Sequence, residues 1–118
     1  MANYIDGYAF PIPRDRLDNY KQLAEQVARI WKEYGALEYS EYVGDDLNIE
    51  GVGNFPDLLS ATEDDVIVFG WVAFESRESR DRAHAKVASD PRMNELVESA
   101  DSGFEAHRMA CAGFRSLV

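Results

Sequence analysis

The sequence is short of several things, and each absence excludes something. It has one cysteine, Cys111, so no disulfide can form within the chain and nothing calls for an oxidising compartment. The cytoplasm is the expected location. Its two histidines, His84 and His107, are too few for a histidine-based metal centre without a symmetric partner. No apolar run approaches the roughly 18 residues that a membrane-spanning helix needs, and the opening "MANYIDGYAF" has no basic stretch followed by an apolar one. Positive charge is scarce too, with 12 basic residues against 22 acidic ones and a net charge of -10. Such a surface repels phosphate backbones and anionic lipid over a screening length of about 8 Å, so neither nucleic acid nor membrane is an expected partner. The chain contains no GxGxxG, GxxxxGK, HExxH or GxSxG, which leaves nucleotide, zinc-protease and hydrolase schemes without a starting point.

What is present suits one folded domain spanning residues 1–118, with 46% hydrophobic and 12% aromatic residues. Residues 3–10 alternate as a strand does, with Tyr4, Asp6, Tyr8 and Phe10 on one face, and Pro11 and Pro13 are expected to stop it. A helix is expected from about Asp15, a candidate cap, because Tyr20, Leu23, Ala24, Val27, Ile30, Trp31 and Tyr34 recur at spacings of three and four, and Gly35 suits its C-terminal turn. Period two returns over 36–43, where Leu37, Tyr39, Glu41 and Val43 face together. Residues 44–64 read as a long excursion rich in glycine, proline and acid.

Residues 65–74, "DVIVFGWVAF", are apolar on both faces, so this strand is expected to be buried from both sides. Ser76 can cap a helix that runs to about Ser89. Asp90 and Pro91 restart a short one, and residues 107–117 form a last strand, apolar on both sides. The order strand, helix, strand, strand, helix, strand predicts a ferredoxin-like βαββαβ two-layer α+β sandwich with a four-stranded antiparallel sheet. Helices in that architecture cover one sheet face only. A twin copy is the simplest cover for the other face, which predicts a homodimer with sheets packed face to face.

Polar groups on apolar faces are the informative residues, since an unpaired buried carboxylate costs several kcal/mol or changes its protonation. Asp6 interrupts Tyr4 and Tyr8; Glu41 interrupts Tyr39 and Val43. If both line one cavity, the acids and tyrosines bind a small aromatic or cationic molecule, or one acid serves as a general base. If they do not, they form a buried network at the dimer interface with Arg108 or Arg115 as counter-ion. Candidates for ligand contact are Tyr8, Tyr39, Trp71, Arg80 and Arg92. Asp46, Asn48, Glu50, Gly51 and Asp57 echo a calcium-loop spacing, but the flanking helices of that motif are missing and a solvated turn is expected. No metal or other cofactor is called for, and Cys111 reads as a small apolar filler.

"WKEYGALEY", Asp45 and Asp46, "SRDR", Asp90–Pro91–Arg92 and "RMACAGF" make the chain resemble the YbaA-like bacterial proteins, domain of unknown function 1428, along essentially its whole length. The resemblance implies a ferredoxin-like subunit of the dimeric α+β barrel class and supplies no activity. Some enzymes of that class are cofactor-independent monooxygenases of aromatic substrates, and others oxidise haem with a strand tryptophan and a helix histidine. Trp71 and His84 have that broad placement and are candidates to flank a cavity. Against this, an aromatic on a strand with both faces apolar is most often packing, and His84, beside the stripe of Ala83, Val87 and Ala88, reads as a partly exposed boundary residue. Asp6, Glu41, Trp71 and His84 are thus the catalytic candidates if the protein is an enzyme; if it is a binding module, the same pocket is lined without reactive geometry.

Overall fold

The computed structural model describes residues 2–118. Strands β1 (Tyr4–Pro13), β2 (Glu38–Val43), β3 (Asp65–Phe74) and β4 (Ala110–Arg115) form one antiparallel sheet in the order β2-β3-β1-β4. Helices α1 (Leu17–Glu33), α3 (Arg77–Ala88) and α4 (Pro91–Ser99) cover one face, and a single turn, α2 (Phe55–Leu58), sits in the excursion. This is the expected α+β, ferredoxin-like arrangement.

Periodicity builds the core. Tyr20, Leu23 and Ile30 form the buried stripe of α1, and Tyr20 and Leu23 meet Phe10, Ile12, Val66 and Val68 from β1 and β3. Phe10 and Phe74 are almost fully buried, each contributing about 2 to 3 kcal/mol by leaving water. Gly35, at φ +110°, ends α1 in a conformation that disfavours any side chain. Ser76 and Asp90 cap α3 and α4 by accepting the N–H groups of Ser79 and Arg92.

Three expectations are corrected. Pro11 and Pro13 do not stop β1, which runs through both. The pairing with β4 ends at Ala9, and Ile67, opposite Pro11, gives its carbonyl to Gly44 on the β2 side, so no ladder bond requires the missing N–H of Pro11. The first helix begins not at an Asp15 cap but after a 3-10 turn at Arg14–Arg16, without a side-chain cap. Finally, β4 is an edge strand, exposed along most of its length; Cys111 is exposed and not a buried filler.

The second sheet face matches the expectation of uncovered apolar surface. Phe69 is 45% exposed, Tyr42 60% and Phe114 54%. Trp71 stacks against Tyr42 with ring centroids 5.6 Å apart. The excursion covers one corner of this face, where the Phe55 ring meets Phe69 edge-on at 5.8 Å.

Candidate functional site

The strand register decides which side chains meet. Asp6 pairs with Val72 and Val72 with Tyr39, while Tyr8 pairs with Gly70 and Gly70 with Glu41. Directly opposed residues project from the same face, so Asp6, Tyr8, Tyr39 and Glu41 all point toward the helices. They line one cavity of about 300 Å³. Its other walls are Phe10 of β1, Tyr20, Leu23, Val27 and Trp31 of α1, Val72 of β3, His84 of α3, Met93 and Val97 of α4, Phe104, Met109 and Cys111. Sheet and helices thus enclose a mostly apolar space that two carboxylates enter.

The carboxylates have different surroundings. Asp6 is buried between two side chains of α3: Arg80 Nε lies 3.2 Å from Oδ1 and His84 Nε2 2.5 Å from Oδ2. The Arg80 Nε–H does not line up with any acceptor, so its contact with Asp6 is electrostatic and not a hydrogen bond. The guanidinium is fixed instead by donating to the Tyr4 hydroxyl at 3.0 Å and to Asp81 at 2.9 Å. Trp31 packs edge-on against the His84 ring, with centroids 5.2 Å apart, and holds the imidazole at the cavity wall.

Glu41 is ringed by phenols. Tyr8 and Tyr39 donate to Oε2 at 2.6 and 2.8 Å, and Tyr20 donates to Oε1 at 2.5 Å. Burial first, and then the neighbouring negative charge and phenols, push the ionisation of all three tyrosines far above the ordinary phenol value, so they remain proton donors. Space for the cluster comes from Gly70. A methyl group there would lie 2.6 Å from the Ser40 carbonyl oxygen, 2.8 Å from Glu41 Cγ and 3.0 Å from the Tyr8 hydroxyl. Gly113, opposite Asp6 on β4, likewise leaves room for the Arg80 guanidinium and the Tyr4 hydroxyl.

Among the sequence candidates, Asp6, Tyr8, Tyr39, Glu41 and His84 come together, while three do not line this cavity. Trp71 lies on the opposite sheet face, because it is one residue out of phase with Val72. It does not flank a cavity with His84, and the haem-type pairing of those two residues is absent; the tryptophan that meets His84 is Trp31. Arg80 stands behind Asp6 and holds it. Arg92 is on α4, donating to Asp90 at 2.8 Å and to Glu33 at 2.6 Å; it clamps α4 to the end of α1. The proposed counter-ions are corrected too. Arg108 pairs with Asp65 at 3.0 Å, and the acidic cluster faces the helices, not the open sheet face where a second copy would dock. Tyr20, Trp31 and Gly70 are site residues that the sequence reading missed. The aromatic residues Tyr20 and Trp31 in the helix stripe, and a glycine in the middle of an apolar strand, were the available signals.

The family model described as "Protein of unknown function (DUF1428)" matches residues 3–106. The chain belongs to this family. It is 37% identical over 115 residues to the uncharacterized protein YbaA of Escherichia coli K12, covering 98% of this chain and 97% of that one. Two solved structures share the fold at low identity. One is a dimeric ferredoxin-like protein from an uncultured marine organism (TM-score 0.58, 12% identity, 98% and 97% covered). The other is a monooxygenase from the ActVA-Orf6 gene of Streptomyces coelicolor in complex with nanaomycin D (TM-score 0.58, 15% identity, 99% and 89% covered). For this DUF1428 member they support the ferredoxin-like α+β sandwich. Among its described residues no helix is long and apolar enough to cross a membrane, and no group of three or more His, Cys, Asp or Glu residues is placed to hold a metal ion.

Proposed function

We propose that the protein binds a small, mostly apolar aromatic molecule in the cavity between sheet and helices, as one subunit of a homodimer. One observation carries the binding reading: aromatic and aliphatic walls surround a carboxylate, Glu41, that three phenols hold in place. Sites for small molecules typically combine an apolar lining with a few fixed polar groups. A carboxylate that served stability alone would be an expensive choice there, since an apolar side chain of similar size needs no such network. The homodimer is supported by the exposed aromatic surface of Phe69, Tyr42 and Phe114 and by the dimeric relative of the same fold. The test is quenching of tryptophan fluorescence by a panel of one- and two-ring aromatics. Quenching that persists in Trp71→Phe and vanishes in Trp31→Phe supports the cavity; quenching lost only in Trp71→Phe moves binding to the open face and sinks the reading.

A second reading is oxygenation of the bound molecule, favoured by the His84–Asp6 contact at the cavity wall and by the monooxygenase of the same fold. His84, oriented by Asp6, would take the proton of a bound phenol and leave an electron-rich anion. Reaction with dioxygen then inserts one oxygen atom and releases the other as water, with the substrate supplying the electrons. Oxygen uptake with hydroxylated naphthalenes, abolished in His84→Ala, is the expected result; uptake unchanged by that substitution excludes the role.

A further inference from the structure

We propose that the Glu41 end of the cavity selects ligands that carry a protonated primary amine on an aromatic body, that is, arylalkylamines. This rests on the cavity being a binding site and says what it binds. The first step is a donor and acceptor count. Each phenol has one proton, and Tyr8, Tyr20 and Tyr39 all direct theirs at Glu41. What these groups can still present to a ligand is lone pairs, on the phenolic oxygens and on the remaining carboxylate positions. That end of the cavity therefore accepts hydrogen bonds and donates none, so a carboxylate, sulfonate or quinone oxygen placed there would meet only acceptors.

Charge takes the next step. Among the described residues Glu41 takes part in no ion pair, whereas Asp6 at the other end faces Arg80 and His84. Lys21 is exposed on the groove outside, which Tyr20, Tyr39 and Glu41 also border together with Asp18 and Glu25, and it forms no ion pair with Glu41. The Glu41 end of the cavity thus holds a carboxylate with no cationic side chain paired to it. A neutral hydroxyl would satisfy the acceptors but leave the charge; an ammonium satisfies both, with three donors and attraction to the surrounding aromatic rings. The volume of about 300 Å³ lies at the low end of small-molecule sites, which fits one ring or two fused rings with a short amine-bearing arm.

Calorimetric titration of the intact protein at pH 7 with 2-phenylethylamine, neutral 2-phenylethanol and anionic 3-phenylpropionate tests this. The expected order puts the amine at least tenfold tighter than either of the others. Glu41→Gln should bring amine and alcohol within about threefold of each other, a loss of about 1.4 kcal/mol for each tenfold. Tyr20→Phe, which keeps the carboxylate, should retain the preference and gives a readout if Glu41→Gln does not fold. Equal binding of amine and alcohol, tighter binding of the anion, or an amine preference that survives Glu41→Gln or disappears in a folded Tyr20→Phe overturns the inference. Alcohol binding without amine preference spares the cavity reading, whereas no binding by any of the three overturns both.

Discussion

Gly70 lies opposite both Tyr8 and Glu41 in the sheet, and a methyl group at Gly70 would fall 2.8 Å from Glu41 Cγ. The strand that separates the two partners therefore lacks a side chain at the point where they must meet, and the Tyr8 hydroxyl reaches the carboxylate at 2.6 Å across it. Gly70→Ala cannot be absorbed by a side-chain rotation alone, because the nearest atom is the Ser40 backbone oxygen at 2.6 Å. Overpacking of this kind costs about 1 to 3 kcal/mol. Urea unfolding should show that loss, and a variant as stable as the native protein would contradict the close approach.

The phenol cluster sets an alkaline limit. Tyr8, Tyr20 and Tyr39 have raised pKa values when folded, against 10.0 for a free phenol. The sign follows from linkage: the unfolded chain releases these protons first, so the contribution is complete below about pH 10 and is lost as pH rises above it. Absorbance at 295 nm should show these phenols ionising together with cooperative unfolding, and not as independent surface groups before it. Tyr20→Phe should make alkaline unfolding less steep.

At the other end of the molecule the sign reverses. Arg92 and the Tyr34 hydroxyl hold the Asp90 carboxyl well below its ordinary value of 3.8. A depressed carboxyl stabilises above the unfolded value and loses that contribution as pH falls through and below it. Asp90→Asn is expected to lower the melting temperature at pH 7 and to narrow its difference from the native protein toward pH 2. A gap that is constant with pH would assign the loss to the helix cap alone.

Asp6 depends on Arg80 more than on His84. The Arg80 side chain is 18% exposed and the His84 side chain 45%, so water can replace the histidine more easily. Arg80→Met should cost about 3 kcal/mol or more, because removing one partner leaves the buried Asp6 carboxylate uncompensated, and His84→Ala less. Denaturant midpoints that reverse this order would shift the anchoring role to His84.

The open face predicts an assembly. Phe69→Asp places a charge in the middle of the exposed aromatic patch and should convert a sedimenting dimer into a monomer at micromolar concentration without unfolding it. A native protein that sediments as a monomer at that concentration would remove the twin-copy proposal.

Alternation alone made much of this legible. The element order, the shared face of Asp6 and Tyr8 on β1, and that of Tyr39 and Glu41 on β2 all follow from period two in the chain, because a strand's geometry admits no other arrangement of neighbouring side chains. The caps at Ser76 and Asp90 and the turn at Gly35 are likewise local chemistry. A strand that is apolar on both faces carries no such mark. The sequence of β3 shows that Trp71 and Val72 point in opposite directions, but not which of them meets the helices, and the candidate pairing of Trp71 with His84 failed at that ambiguity.

By itself, then, the sequence determined a sheet with helices on one side, an acidic surface and two carboxylates set among aromatics, since each is a property of neighbours along the chain. Only the tertiary structure decided that Asp6 and Glu41 enter one cavity, that Arg80 serves the first and three tyrosines the second, and that Gly70 leaves the gap across which Tyr8 reaches Glu41. Those depend on strand register and on the rotation of α1 about its axis, which are set by packing between segments far apart in sequence, and no local pattern encodes them.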